Sequence, residues 1–230
     1  MSPRLLAVLT LLTLATSFVP GSARAVSVLT NGGFEAGDLS GWSTSGLGTS
    51  GFCPNDLRDW NVDASGLGTG CSPVGDPPGG SFAAYVMNDG TAGTVYQLSQ
   101  TFIVPSTVLA ADLSWSQSIV SNYSGLPRTF EVQLYDQFSA LLATVFSTPI
   151  AFSDPDPLWT TRTLDLTSLL ASQAGNPVEL RFVNAIPDAW TGPAGLGLDD
   201  VSIEVLVPEP STAALLGAAL VALAGGRRRR

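Results

Sequence analysis

Apolar side chains recur at every second position through the middle of this chain, and this period limits what it can fold into. Residues 109–119 alternate between mostly apolar and mostly polar positions, and three later segments repeat the pattern: Phe130-Val132-Leu134, Val178-Leu180-Phe182 and Val201-Ile203-Val205. Such alternation is typical of a strand buried on one face. Many short strands without alternating helices predict an all-β fold, an antiparallel β-sandwich.

Other segments complete the expected sandwich. Residues 82–87, 95–104 and 141–146 are further strand candidates, and residues 164–174 are compatible with one short helical turn. The segment 46–80 differs, because it is rich in Gly, Ser, Asp and Pro. We expect this segment to be a long excursion with few apolar ties to the core.

Both ends of the chain have the features of targeting segments. At the N-terminus, Arg4 precedes an apolar run over 5–19, and Ala23-Arg24-Ala25 is a small-x-small cleavage pattern. These features predict a signal peptide at 1–25 and a mature chain that begins at Val26. One folded domain is then expected over 26–207.

The C-terminal end has three parts in order. Pro208, Glu209 and Pro210 come first, an uncharged segment over 211–226 follows, and the chain ends in Arg227, Arg228, Arg229 and Arg230. Sixteen residues of helix span about 24 Å against a hydrocarbon core of about 30 Å, so a single apolar helix here is short for a membrane span. Arginine side chains can reach the interface, and they favour the cytoplasmic side.

This tail resembles the PEP-CTERM sorting signal of Gram-negative bacteria in all three of its parts. The resemblance implies that 208–230 is a sorting segment recognised by an exosortase, a membrane enzyme thought to cut near the motif. The chain would then be anchored transiently in the inner membrane and pass to the cell surface or extracellular matrix. A single-pass anchor that is never cleaved is the alternative.

The predicted domain is strongly acidic. Four arginines within 26–207 stand against 18 of the chain's 19 acidic residues, which is a formal charge of −14, and the whole chain contains neither Lys nor His. A surface of this charge repels nucleic acid and anionic lipid. The absence of His and Lys excludes Ser-His-Asp and Cys-His nucleophile systems and a Lys base. A pair of carboxylates of the glycosidase type stays open.

The two cysteines, Cys53 and Cys71, both lie in the excursion. An even number of cysteines in an exported chain favours a disulfide, which would stabilise the fold by roughly 3 kcal/mol in the loop-entropy model. Zinc is the alternative, although two thiolates without His make a poor zinc site.

Two short motifs mark the ends of the domain: Asn31-Gly-Gly-Phe-Glu35, followed by Gly41-Trp42, and Gly197-Leu-Asp199-Asp200-Val-Ser-Ile203. First and last strands of a sandwich commonly lie close, so Glu35 is expected to meet the two aspartates. The pattern resembles jelly-roll, galactose-binding-like modules, including carbohydrate-binding modules. That resemblance implies a structural Ca²⁺ held by Glu35 and Asp200, with Asp199 a weaker candidate. The alternatives are a turn carboxylate for Glu35 and a solvated strand end for the aspartates.

Aromatic side chains are the other candidate binding groups, because sugar rings stack on exposed aromatic rings. Trp42 and Trp115 are expected in the core, whereas Trp60, Tyr123 and Trp190 lie among turn residues and are candidate sugar platforms. Each of the three has the alternative of a loop anchor. The sequence thus predicts an exported, non-enzymatic surface protein that associates with exopolysaccharide. A purely structural or adhesive matrix protein and a small carboxylate-dependent hydrolase are the alternatives.

Overall fold

The structure is a computed structural model that describes residues 23–46, 59–66, 74–88, 92–121, 128–150, 156–187 and 194–209. The chain divides into two compact units, one of which is Ala25–Val207. Within the described residues there are eleven strands and one α-helix. The strands are β1 (Ala23–Ser27), β2 (Ser43–Ser45), β3 (Asn61–Asp63), β4 (Ala83–Asn88), β5 (Val95–Ile103), β6 (Ala110–Ser121), β7 (Arg128–Asp136), β8 (Leu141–Ile150), β9 (Asp156–Asp165), β10 (Pro177–Ala185) and β11 (Ala194–Pro208), and the helix is α1 (Thr167–Ser172).

The strands form two sheets. The six-stranded sheet has the order β3-β4-β11-β6-β9 with β1 beside β11, and the five-stranded sheet has the order β2-β5-β10-β7-β8. Every pairing with a defined register is antiparallel. The prediction of an all-β antiparallel sandwich is therefore confirmed.

The core lies between the two sheets and contains the side chains that alternation placed there. Trp115 of the six-stranded sheet makes edge contacts with Phe146 and Phe182 of the five-stranded sheet, at ring centroid distances of 5.4 and 6.2 Å. Phe130 stacks on Phe182 at 6.3 Å. Pairs of this kind each contribute about 0.5–1.5 kcal/mol beyond the burial of their area. Trp42 is also buried, in contact with Phe182 at 6.3 Å.

Strand β9 is the main element that alternation did not indicate. Its sequence is polar at most positions, and Pro157 is its second residue. Proline is tolerated in a sheet only at an edge or a strand start, and β9 is the edge of the six-stranded sheet. Helix α1, by contrast, lies within the segment where a helical turn was expected.

The excursion is tied to the domain more firmly than its composition suggested. Trp60 lies in the core between the sheets, and Val74 packs on the outer face of the six-stranded sheet with Tyr85. Trp159 Nε1 donates a 2.7 Å hydrogen bond to the carbonyl of Asp76. The expectation of few apolar ties is therefore wrong for the described parts of the segment. Cys53 and Cys71 lie outside the described residues.

The predicted targeting segments lie almost wholly outside the described residues, which begin at Ala23 and end at Glu209. Strand β1 includes Ala23, Arg24 and Ala25, the last three residues of the predicted signal peptide. Within the part of the chain that the structure describes, no helix is long and apolar enough to cross a membrane.

Candidate functional site

The opening motif folds into a turn that its own side chains hold together. Asn31 has a φ of 50°, a left-handed conformation that asparagine tolerates. Its Nδ2 donates to the carbonyls of Asp38 and Ser40 at 2.9 and 3.2 Å, and its Oδ1 accepts from the main-chain N–H of Ala36 at 3.2 Å. Trp42 Nε1 donates to the carbonyl of Asn31 at 3.0 Å. The spacing of the motif is thus explained by the hydrogen bonds of one asparagine.

The closing motif interrupts strand β11 with a bulge and meets the opening motif there. The register shifts between Asp199 and Ser202, and Asp200 has a φ of 51°. The N–H of Val201 donates to the carbonyl of Gly32 at 3.0 Å. A β-carbon on Gly32 would overlap the Val201 carbonyl oxygen, which explains a glycine at this position.

The side chains of the three predicted acids all lie beside Gly33. A β-carbon placed on Gly33 would lie 3.8 Å from Cγ of Glu35 and 3.9 Å from Oδ1 of both Asp199 and Asp200. We call these three acids the carboxylate corner.

Glu35 is already engaged by the main chain. Its Oε1 accepts from the N–H groups of Ser81 and Phe82 at 2.9 and 3.1 Å, and its Oε2 lies 3.1 Å from the Ser81 nitrogen. Glu35 therefore acts here as a turn carboxylate, the alternative to a metal ligand, because it accepts hydrogen bonds from main-chain N–H groups.

Asp199 is the buried member of the carboxylate corner, with an exposed fraction of 1%. Its Oδ1 accepts from the N–H of Asp200 at 2.7 Å, whereas its Oδ2 is buried without a partner. Burial raises the pKa of Asp199 to about 7; the charges of Asp200 and Glu35 add to the rise, and the hydrogen bond from Asp200 opposes it. A buried, partnerless carboxylate oxygen is costly unless it is protonated or meets a cation.

The fit of this corner to Ca²⁺ is partial. Among the described residues, no three His, Cys, Asp or Glu side chains are grouped so that they could hold a metal ion. The partnerless Oδ2 of Asp199 and the exposed carboxylate of Asp200 are nevertheless hard oxygen donors of the type that Ca²⁺ prefers. A metal ion here would be coordinated mainly by the two aspartates and by main-chain carbonyls, and less by Glu35.

Of the three predicted aromatic platforms, Trp60 is the one that lies within the described residues. Trp60 has an exposed fraction of 4% and sits in the core, so the prediction that its ring is open to a sugar is corrected. Trp60 directly precedes strand β3, and its ring inserts between the sheets. Tyr123 and Trp190 lie outside the described residues.

A polar surface that sequence reasoning missed crosses the outer side of the five-stranded sheet. The strand register aligns one residue from each strand in a single row: Ser43, Ser99, Arg181, Gln133 and Thr144. The neighbouring rows add Gln97, Glu131 and Ser147 on one side and Thr101, Glu179 and Tyr135 on the other, and each contains one apolar residue, Val183 and Leu141 respectively. We call this surface the polar face.

Hydrogen bonds hold the side chains of the polar face in place. Tyr135 donates its hydroxyl to Oε1 of Gln133 at 2.9 Å, and Gln133 Nε2 donates to Oε2 of Glu131 at 2.6 Å. Arg181 Nη2 donates to Oε2 of Glu179 at 2.6 Å, and its guanidinium lies 3.7 Å from the centroid of the Tyr135 ring. The Arg181 and Glu179 side chains are only 19% and 22% exposed. Nε of Arg181 is buried and has no partner in this network.

The outer side of the other sheet offers no comparable surface where it is described around Tyr85. There Val74, Tyr85 and Met87 form a second apolar cluster, and the Tyr85 hydroxyl donates to the carbonyl of Gly75 at 3.2 Å. The signal that pointed to the polar face was present in the sequence. Glu131, Gln133 and Tyr135 occupy the outward positions of an alternating strand.

Comparison with known proteins gives one match in sequence and several in structure. Residues 206–230 match the family model of the PEP-CTERM protein-sorting motif. The chain therefore carries this motif, which implies export and sorting to the cell surface in bacteria. No curated protein matches the chain.

Among solved structures, the enzymatically active domain of bacteriophage CBA120 tailspike protein 4 is similar, with a TM-score of 0.51 and 14% identity. The match covers 78% of this chain and 21% of the tailspike chain, so this chain spans about a fifth of that protein. Module TmCBM61 in complex with β-1,4-galactotriose has a TM-score of 0.49 and 14% identity over 80% of this chain and 99% of that one. A cyclase from Fischerella sp. TAU follows, with a TM-score of 0.48, 18% identity, and coverage of 80% and 98%. At 14% identity, the match to the tailspike domain shows a likeness in fold alone.

Proposed function

We propose that this chain is an exported bacterial surface protein whose sandwich binds glycan on the polar face. The observation that carries the proposal is the row of aligned, hydrogen-bonded and half-buried polar side chains around Gln133 and Arg181. Sugar hydroxyls are recognised by fixed donors and acceptors on a surface shielded from bulk water. The polar face supplies carboxylate and amide acceptors beside guanidinium and amide donors.

The tail supports the rest of the proposal. An exosortase recognises the segment that begins at Pro208, separates the domain from its transient inner-membrane anchor and passes it to the surface or matrix. There the sandwich associates with exopolysaccharide.

The proposed role is binding without catalysis. A hydrolase of the carboxylate type needs an acid of raised pKa that reaches a glycosidic oxygen. Of the described carboxyl groups, Asp199 has its pKa raised to about 7, and its exposed fraction is 1%. Burial removes that group from contact with a polymer.

A structural Ca²⁺ at the carboxylate corner is a further part of the proposal. Asp199 and Asp200 would hold it, with Glu35 completing the site if its carboxylate turns from the main chain. The partnerless Oδ2 of Asp199 supports this assignment. The ion would neutralise clustered charge and fasten the two ends of the domain together.

Binding of the purified protein to a panel of neutral and acidic polysaccharides tests the polar face. Gln133→Ala and Arg181→Ala should each weaken binding by roughly 3- to 30-fold, the range expected for a lost hydrogen bond to an uncharged or charged group. Gln137→Ala is the matched control, because Gln137 is an exposed glutamine in the turn after β7. Unchanged binding in both face variants, with the folded state intact, would show that the glycan binds elsewhere on the domain. No binding to any polysaccharide of the panel would leave a purely structural or adhesive role.

A further inference from the structure

The two sheets leave a cleft of about 270 Å³ on the side where β8 and β9 are their edge strands. Four polar side chains line it, Gln117, Thr148, Thr160 and Arg162, together with apolar groups that include Ile119 and Ile150. We call it the inter-sheet cleft. It lies between the sheets and is distinct from the polar face, which is on the outer side of the five-stranded sheet.

The polar residues of the cleft occupy positions that point between the sheets. Thr160 is paired with Gln117 and Arg162 with Trp115, and directly paired residues project on the same side of a sheet. Trp115 is a core residue, so the side chain of Arg162 also projects toward the interior. Inward positions of a sandwich are normally apolar. The polar side chains at these inward positions line the cleft at the edge of the core.

Arg162 has no carboxylate partner among the described residues. Its guanidinium lies over the Phe146 ring, 5.2 Å from the centroid, whereas Arg181 is bonded to Glu179 at 2.6 Å. The domain has 18 acidic residues for four arginines, so an arginine without a paired acid is unexpected on charge alone. A guanidinium at the side of an apolar pocket is suited to a carboxylate that arrives from outside.

Gln117 supplies a second donor to the same cleft, and unlike Arg162 it is buried. Its exposed fraction is 6%, and its Oε1 accepts from Nε1 of Trp115 at 2.8 Å. That bond fixes the orientation of the amide and leaves its NH₂ group without a partner among the described residues. The amide donors of Gln117 and the hydroxyls of Thr148 and Thr160 can therefore bind hydroxyl groups of a ligand.

We propose that the inter-sheet cleft binds one carboxylated sugar residue, a uronate. Arg162 would bind the carboxylate. Gln117 and the two threonines would bind the ring hydroxyls, and the apolar wall would contact the C–H groups of the ring. The volume of the cleft is just below the range of about 300–1,000 Å³ that is usual for drug-sized ligands, which suits a single monosaccharide unit. The acidic remainder of the domain repels a uronate polymer elsewhere, so this positive position would select for it.

The test is calorimetric titration of the full chain with glucuronate and with glucose, which has the same ring and hydroxyl configuration without the carboxylate. We expect glucuronate to bind at least tenfold more tightly than glucose. We also expect the affinity for glucuronate to fall as the salt concentration is raised. Arg162→Gln should weaken glucuronate binding by about 10- to 100-fold, the effect of a lost charged hydrogen bond, and Arg162→Lys by less. Equal affinity for the two sugars, or no binding of glucuronate, would overturn the proposal.

A second variant covers the case in which Arg162→Gln does not fold. Thr160→Val keeps a β-branched side chain in the edge strand and should weaken glucuronate binding about threefold or more, with an unchanged melting curve. Thr163→Val is its matched control, because Thr163 is exposed on the same strand and does not line the cleft. Equal glucuronate binding in both threonine variants and the unsubstituted chain would also overturn the proposal. Gln133→Ala reports on the polar face alone, so the two sites can fail separately.

Discussion

The main-chain N–H of Val201 donates a 3.0 Å hydrogen bond to the carbonyl of Gly32, and this bond joins the two ends of the domain. It places the bulge of β11 against the turn that follows β1. Asp199 begins that bulge, Asp200 lies within it, and Glu35 is part of that turn, so one backbone contact decides where three acids meet.

Gly32→Ala should destabilise the domain by about 2 kcal/mol or more, because its β-carbon would overlap the Val201 carbonyl oxygen and force the two segments apart. Thermal unfolding measures the effect as a lower melting temperature. Gly79→Ala is the control, since a β-carbon there meets only Oδ2 of Asp200 at 3.8 Å, an ordinary contact. Equal melting temperatures for the two variants would contradict the role assigned to the backbone contact.

The stability of the domain without Ca²⁺ should fall as pH rises from about 4 to about 7. The folded pKa of Asp199 is about 7, above its ordinary value of 3.8, so the folded state retains a proton that the unfolded state has lost. Stability from this group is fully present below the unfolded pKa and disappears as pH passes through the folded one. The loss should be on the order of a few kcal/mol.

Asp199→Asn isolates this effect from the general repulsion among the acidic residues. The amide is uncharged at every pH, so urea unfolding of this variant should show a flatter dependence over the same interval. A pH dependence identical to that of the unsubstituted protein would show that Asp199 does not titrate in this range.

Calcium should raise the melting temperature, and a chelator should lower it by several degrees. An ion that binds only the folded state stabilises it by about 2.7 kcal/mol at a hundredfold excess over Kd. Because Ca²⁺ requires ionised carboxylates, it should also weaken the pH dependence described above.

Asp200→Asn should remove most of the calcium response, whereas Asp112→Asn, at an exposed position on β6, should leave it intact. Differential scanning calorimetry with and without chelator makes the comparison. If neither chelator nor Asp200→Asn changes the melting curve, Asp200 is an ordinary residue of a strand bulge.

Replacement of Pro208, Glu209 and Pro210 by alanine should leave an uncut precursor in the membrane. The expectation follows from the match of 206–230 to the sorting motif. Cell fractionation and intact-mass analysis provide the measurement, with the unsubstituted chain as control. Surface-released protein that still carries Arg227–Arg230 would show instead that the tail is not removed.

The sequence by itself determined the fold class, seven of the eleven described strands and much of the core. Period-two alternation is a local property, and burial of one side of each strand follows from it directly, as for Leu113 and Trp115. The alternation did not indicate strand β9, because a strand at the edge of a sheet does not require alternating apolar residues. The meeting of Glu35 with Asp199 and Asp200 was also predicted, from motifs at the two ends of the domain.

Only the tertiary structure decided which polar residues share a surface. Ser43, Ser99, Gln133 and Arg181 are distant in sequence, and the register of four strand pairings brings them, with Thr144, into one row. A one-residue change in any register would turn the affected side chains to the other side of the sheet.

Non-local strand pairing also explains the positions of the Trp60 and Arg162 side chains. The segment around Trp60 is rich in residue types that favour turns, yet its ring packs between the sheets. Arg162 lies in a largely polar strand, and its inward-facing side chain lines a cleft. Burial of a side chain depends on what packs over it, and the groups that pack here come from strands far along the chain. Local pattern therefore determines which segments become strands, and non-local pairing determines which side chains remain available to a ligand.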